Sequence, residues 1–279
     1  MSGTIVVGLT DAPVAERVLA WAAQRATDRR QQLRLVSVLG GATGAVGEDA
    51  LVSEFLRATR ARLEQEGTRL RDRGLNVDLV VDRGNPTEKL IEASADAALL
   101  VIGSDYRGPD SGTVRGSHGV RIVSSAPCPV VVVPDFDTAG RSGVVIGIDG
   151  SPTSENALAW AAAEADRLRE PLIAISVWTP IAVPRGFGVY PEEYLTNMQQ
   201  LTEETLSVAL AGLRSKYPDL EIVRRVECGY PSSVINDAAA QARMAVVGTH
   251  GRGAFKRFLL GSISHEVLTR LATVTAVVR

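Results

Sequence analysis

The chain repeats itself, and this limits its possible folds more than any other feature. IVVGLTDAPVAERVLAWA, from Ile5, lines up with VVIGIDGSPTSENALAWA, from Val144, at a shift of 139 positions. Gly8 falls on Gly147, Pro13 on Pro152, Glu16 on Glu155, and Leu19-Ala20-Trp21 on Leu158-Ala159-Trp160. The same shift takes Ser37-Val38 to Ser176-Val177. Further on, Gly84-x-Pro86 matches Gly229-x-Pro231, while Gly103 and Gly116-Ser117 match Gly248 and Gly261-Ser262. There the shift is 145, so the second half holds six more residues between Val177 and Gly229. A match this long marks a tandem duplication, and 279 residues then divide into two domains of ordinary size. The polar, turn-rich stretch PDFDTAGRS at 134–142 is the linker, which gives domains at 1–136 and 143–279.

Each half reads strand, helix, strand, helix, strand, helix, strand, loop, helix, strand. In the first half the short apolar runs are 5–9, 33–39, 77–81, 99–102 and 130–133. They are β-branched and continuous, which predicts parallel strands buried on both faces. Residues 14–29, 51–73 and 87–97 between them have the length and amphipathic pattern of helices. In the second half the strands are predicted at 143–148, 172–178, 221–226, 244–247 and 276–278. The insertion at 179–191 carries three prolines and two glycines and leads into a helix over 192–215. It is either a plain surface loop or a flap over the site. Alternating βα units imply right-handed crossovers, so the fold class is α/β: two doubly wound, Rossmann-like sheets of five parallel-type strands. Such sheets bind ligands beyond the carboxyl ends of their strands, at the switch point.

The second half carries its chemistry after the fourth strand. VVGTHGRGAFKRFLLGSIS, at 246–264, breaks at Gly248, runs through a loop with Gly251 and Gly253, adds Arg252, Lys256 and Arg257, and opens a helix at Gly261-Ser262. Glycine admits close backbone approach or positive φ, and a helix N-terminus offers free N–H groups to an anion. The stretch therefore reads as a phosphate cradle. The first strand of this half ends Gly147-Ile148-Asp149-Gly150-Ser151. Asp149 is placed to accept hydrogen bonds from an adenine amino group or a ribose hydroxyl. It could equally cap the following helix, a role open to Ser151 or Ser154 as well.

The spacing Gly248-x2-Gly251-x9-Gly261-Ser262, set in this repeated chain, resembles the G-2x-G-9x-G-[S/T] signature of ATP-binding universal stress proteins. It is neither the Walker pattern nor the GxGxxG fingerprint. The resemblance covers nearly the whole chain. It implies an adenosine pocket containing Asp149 behind the apolar Ile148, with Gly150 and Ser151 completing the strand-end turn. It implies that the backbone of Val177 meets adenine and that the turn with Gly229 and Pro231 closes the pocket. Phosphates are assigned to Gly251, Arg252, Gly261, Ser262, Ile263 and Ser264, largely through backbone N–H, beyond Gly248 at the strand end. The implied ligand is ATP, ADP or AMP, with Mg²⁺ a candidate companion. The implied role is a nucleotide-dependent regulator of the stress response, hydrolysing ATP slowly at most. In the family the last strand of the fold makes the dimer contact. The two halves are therefore expected to form an intramolecular pseudo-dimer, and whole chains a homodimer.

The first half departs from the signature. Thr10 stands where Asp149 stands, although Asp11 follows, and Tyr106 stands where Gly251 stands. Pro109 and Asp110 stiffen the loop and bring negative charge, while Gly103, Gly116 and Ser117 remain, followed by His118. One competent site per chain is expected, in the second half. Two other readings stand beside this one. One is an interaction module with a vestigial pocket. The other is an ATP-using enzyme of a related fold, for which the chain has no spare sequence to supply a substrate domain.

Composition narrows the field. A net charge of -2 gives no electrostatic case for nucleic acid. No apolar run approaches the ~18 residues of a membrane span. MSGTIVVGLT leads directly into a strand with no leader pattern, and the two cysteines, Cys128 and Cys228, suit a reducing cytoplasm. Three histidines in unrelated contexts make no metal-ligand set. His250 is expected behind the ligand contacts, and His265 as a polar helix position.

Overall fold

In the computed structural model the described residues are 3–41, 48–104, 117–182, 190–251 and 260–279. Tyr106, Pro109, Asp110, Gly116, Arg252, Gly253, Lys256, Arg257 and the middle of the 179–191 insertion lie outside them. The chain divides into two compact units, Met1–Phe136 and Asp137–Arg279.

The first unit runs β1 (Thr4–Gly8), α1 (Val14–Arg29), β2 (Gln32–Leu39), α2 (Glu48–Asp72), β3 (Val77–Arg83), α3 (Pro86–Ala93), β4 (Leu99–Ser104), α4 (Ser117–Ser125) and β5 (Val130–Pro134). Its strands lie in the order β3-β2-β1-β4-β5, all parallel. The second unit runs β6 (Val144–Gly147), α5 (Pro152–Leu168), β7 (Leu172–Trp178), α6 (Glu192–Ala209), α7 (Leu213–Lys216), β8 (Ile222–Cys228), α8 (Pro231–Ala239), β9 (Met244–Gly248), α9 (Ser262–Arg270) and β10 (Val274–Val278). Its strand order, β8-β7-β6-β9-β10, is the same arrangement again. The register sets Ile5 between Leu33 and Leu99, and Val145 between Ile173 and Ala245.

The physical cause is a stack of apolar strands covered by small-residue helices. Ile5, Val6 and Val7, Leu99 to Val101, Val144 to Ile146 and Met244 to Val246 are almost fully buried. Each such aliphatic side chain contributes roughly 1.5–3 kcal/mol. Ala22, Ala23 and Ala26 of α1, and Ala157, Ala161, Ala162 and Ala165 of α5, are buried too and let the helices sit close. Two glycines serve this packing. A Cβ on Gly103 would lie 2.6 Å from Val14 Cγ1, and one on Gly248 would lie 3.0 Å from Thr153 Cγ2.

Three expectations need correction. The run at 77–81 is not buried on both faces: β3 ends its sheet, and Val80 is partly exposed. β8 ends the other sheet in the same way, and Asp78 and Asp82 on β3, like Arg224 and Arg225 on β8, put charge on these borders, which discourages further pairing. The helix expected over 87–97 stops at Ala93, because the Ser94 hydroxyl bonds back to Ile91 O at 2.7 Å. The helix expected over 192–215 stops at Ala209. Gly212 then takes a φ of 82°, where a glycine is the comfortable residue, and only the short α7 follows.

Candidate nucleotide site

The carboxyl ends of β6, β7 and β9, together with the starts of α8 and α9, enclose a cavity of about 410 Å³ in the second unit. β6 sits between β7 and β9, so the cavity lies at the switch point of the sheet. One wall is aliphatic, made by Ile148, Ile175, Val177, Ile235 and Val247 with Pro231. The opposite end is backbone and hydroxyl, from Gly251, Gly261, Ser262, Ile263 and Ser264. An apolar slot beside a polar, backbone-rich end suits an amphiphilic ligand with a planar base and an anionic tail.

The polar end is built by two crossings of backbone. Gly261 N donates to Thr249 O at 2.8 Å, and the Ser264 hydroxyl donates to Gly248 O at 2.5 Å. These bonds stitch the start of α9 to the end of β9. A Cβ on Gly261 would stand 3.3 Å from both His250 Cα and Thr249 O, which are backbone atoms with nowhere to move. The first bond inside α9 runs from His265 N to Gly261 O at 2.8 Å. Ser262, Ile263 and Ser264 thus fill the first helical turn, whose N–H groups have no carbonyl within the helix to reach. Its N-cap residue is Gly261, which has no side chain, so no side-chain cap bond closes this helix start among the described residues. The contrast is α5, where Ser151 Oγ accepts from Ser154 N at 3.2 Å.

Among the three candidates for the α5 cap, then, Ser151 is the residue used. Asp149 does something else. Its Oδ1 accepts the Ser151 N–H at 2.9 Å, closing the strand-end turn, in which Gly150 takes a φ of 76°. Its Oδ2 lies against Gly251, 2.5 Å from where a Cβ on that residue would be.

The expected site residues sort themselves by position. Ile148, Asp149, Val177, Pro231, Gly248, Gly251, Gly261, Ser262, Ile263 and Ser264 come together around the cavity. Gly150 and Ser151 shape the turn below it. Gly229 does not line the cavity: its N–H donates to Trp178 O at 2.9 Å and its O accepts from Thr179 Oγ1 at 2.6 Å, tying the ends of β7 and β8. Arg252 lies outside the described residues.

Sequence reasoning missed Ile175, Ile235 and Val247 as lining residues. Ile175 was within reach, because it shares a face with Val177 two positions on. Glu266 was missed as well. It accepts from Ser232 Oγ at 2.6 Å and from Tyr230 OH at 3.0 Å, bracing α8 against α9, and the second hydrogen bond, followed by the carboxylate's charge, raises the Tyr230 phenol pKa. His250 lines the cavity. Burial first, and the positive Arg279 second, hold its imidazole pKa below the usual histidine value. His265 is exposed.

With this geometry established, the comparisons with known proteins decide the family. The sequence model of the Universal stress protein family matches residues 1–134 and again 141–279. The chain belongs to the universal stress protein family. A universal stress protein of Mycolicibacterium smegmatis is 32% identical over 99% of this chain and 96% of its own. One from Mycobacterium tuberculosis is 32% identical over 95% of this chain and 92% of its own. The crystal structure of a universal stress protein from Archaeoglobus fulgidus DSM 4304 covers 100% of this chain and 99% of its own, with a TM-score of 0.73 at 17% identity, a likeness of fold.

The same end of the first unit follows the family scaffold with different contents. Thr10 Oγ1 accepts the Ala12 N–H at 3.3 Å, the same turn that Asp149 makes. Asp11 does not replace the missing carboxylate, because it forms an ion pair with Arg62 on α2. His118, at the position of Ile263, bonds to Thr87 Oγ1 at 3.2 Å. Among the described residues no group of three or more His, Cys, Asp or Glu could hold a metal, and no helix is long and apolar enough to cross a membrane. Neither cysteine is in a disulfide; Cys128 is buried and Cys228 exposed.

Proposed function

We propose that the second unit binds ATP, or another adenine nucleotide, and that the protein acts as a nucleotide-dependent regulator in the cytoplasm. The observation that carries this is the first turn of α9, with no side-chain cap bond among the described residues, at one end of a cavity with an aliphatic wall. Free N–H groups and the helix dipole there favour an anion, by roughly 0.3–1 kcal/mol from the dipole alone. The residues present fit such a ligand. Ile148, Val177 and Ile235 would bury the base. Asp149 would accept from its amino group or from the ribose, and the backbone of Gly251, Ser262, Ile263 and Ser264 would hold the phosphates, with Arg252 adding positive charge. Mg²⁺ would enter with the phosphates, since it keeps much of its own water. The first unit, with Thr10 in place of Asp149, would bind weakly or not at all.

Titration of the purified, nucleotide-stripped chain with ATP and Mg²⁺ in a calorimeter tests this. One site per chain is expected. Two sites would show that Thr10 and Tyr106 are tolerated. An absence of heat and of any co-purifying nucleotide would overturn the proposal in favour of an interaction module with a vestigial pocket.

A further inference from the structure

A bound phosphate would be one reason for a glycine at 251, but the surroundings of this residue point to a different cause. Its φ is not in the left-handed region that would demand glycine. It is exposed. Among the described residues, the atoms a Cβ there would meet are those of Asp149: Oδ2 at 2.5 Å and Cγ at 3.7 Å. Moving that carboxylate aside would strain or break the bond that Oδ1 accepts from the Ser151 N–H at 2.9 Å. Gly251 in turn reaches the helix start, its N lying 3.8 Å from where a Cβ on Gly261 would be.

We propose that Asp149 and Gly251 act as one coupled unit, with Asp149 the positioning residue that sets the chain after β9 against the N-terminus of α9. Position 251 must lack a side chain because the carboxylate occupies its place. The shape of this loop end is therefore dictated from β6, across the switch point. The first repeat agrees in its sequence, where the shorter Thr10 and the larger Tyr106 occur together at the two matching positions. On this account they are one exchange and not two separate losses. The ligand half of the proposal rests on the nucleotide reading above, while the structural half does not.

A double-mutant cycle on the full chain decides it, comparing Gly251→Ala, Asp149→Thr and the pair with the parent. Gly251→Ala alone is expected to lower the melting temperature by about 3–6 °C, the size of a modest overpacking strain in a chain of this length. In the Asp149→Thr background the same change should have no measurable effect on melting. ATP affinity should fall about tenfold with either single change, and the pair should bind no worse than the weaker single variant. An equal melting shift from Gly251→Ala in both backgrounds would overturn the coupling. If the parent fails to bind ATP, the nucleotide reading fails, yet the melting comparison still decides the coupling. Asp149→Asn keeps the size of the side chain, so the Gly251→Ala strain should survive in that background; its disappearance would also count against the proposal.

Discussion

The two units share a scaffold and differ at the carboxyl ends of their strands. β1 and β6 both end in a glycine under an aliphatic side chain of the helix that precedes the unit's fourth strand, Gly8 beneath Leu90 of α3 and Gly147 beneath Ile235 of α8. Both strands are followed by a side-chain oxygen that takes the N–H two residues on. In the second unit that oxygen belongs to a carboxylate whose other oxygen faces Gly251. In the first it belongs to a hydroxyl, and the neighbouring acid has turned outward to Arg62. The apolar pattern that makes the sheet has outlived the polar pattern that would make the site. Buried positions resist change because every lost methylene leaves a void. Surface loops carry no such constraint.

The sharpest way to break this contrast is to write the first unit's residue into the second. Gly251→Tyr copies Tyr106 and puts a ring against Asp149 at the polar end of the cavity. ATP affinity should fall on the order of 100-fold, about 2.7 kcal/mol. Circular dichroism should be unchanged, because position 251 is exposed. Affinity within a few-fold of the parent would remove the basis for calling the first unit degenerate.

Much of this contrast is legible in the amino-acid sequence alone. The duplication fixes the fold class, since one strand-and-helix alternation has to serve twice. The glycine spacing locates the loop that meets α9. What stays hidden depends on three-dimensional neighbours. Nothing in MAVVG says that Gly248 is small because Thr153 of α5 lies on it. Nothing in GSIS says that the Ser264 hydroxyl is spent on Gly248 O and leaves the helix start without a side-chain cap bond among the described residues. The strand borders are misjudged because VDLVV reads as apolar although Asp78 is exposed. Gly229, sensibly grouped with Pro231 by the turn it makes, proves to join two strand ends and leaves the cavity wall to its neighbour.

A second contrast lies at the opposite ends of the sheets, where Glu170 matches Gln31. Burial opposes the charge on Glu170, but bonds from the Ser142 hydroxyl, the Gly143 N–H and Arg243 outweigh it and hold the carboxyl pKa below the usual carboxylate value. Gln31 reverses the polarity, donating to Gly3 O at 3.2 Å and accepting from Arg25 at 2.6 Å. Because the folded pKa of Glu170 is lowered, its contribution is complete above the unfolded glutamate pKa of about 4.3 and fades as pH falls through the folded value. Glu170→Gln should therefore cost about 1–2 kcal/mol at pH 7, with an NH₂ group facing two donors. That cost should shrink as the pH is lowered below about 4. Urea midpoints of parent and variant that stay equally far apart at pH 7 and pH 3 would assign the effect to packing.

The smallest expected effect concerns how α1 and α5 begin, and it runs in the opposite direction. α5 opens at Ser151, whose hydroxyl takes the Ser154 N–H while its carbonyl takes Glu155 N at 3.1 Å. Ala12 holds the matching position before α1 and has no such oxygen. The Ala15 N–H turns instead to Ala12 O at 3.0 Å, a tighter turn that satisfies the donor with poorer geometry. Ala12→Ser would supply the missing acceptor. A full cap is worth about 1 kcal/mol, but this N–H is already bonded, so a gain of about 0.5 kcal/mol is expected. In a chain of this length that is a rise of roughly 1–2 °C in melting temperature. Ser151→Ala should lose about 1 kcal/mol, because no carbonyl stands in for the hydroxyl there. If Ala12→Ser gains as much as Ser151→Ala loses, the tighter turn in α1 contributes nothing. If it gains nothing, the backbone bond already does the work of the cap, and the two helix starts differ in sequence without differing in stability.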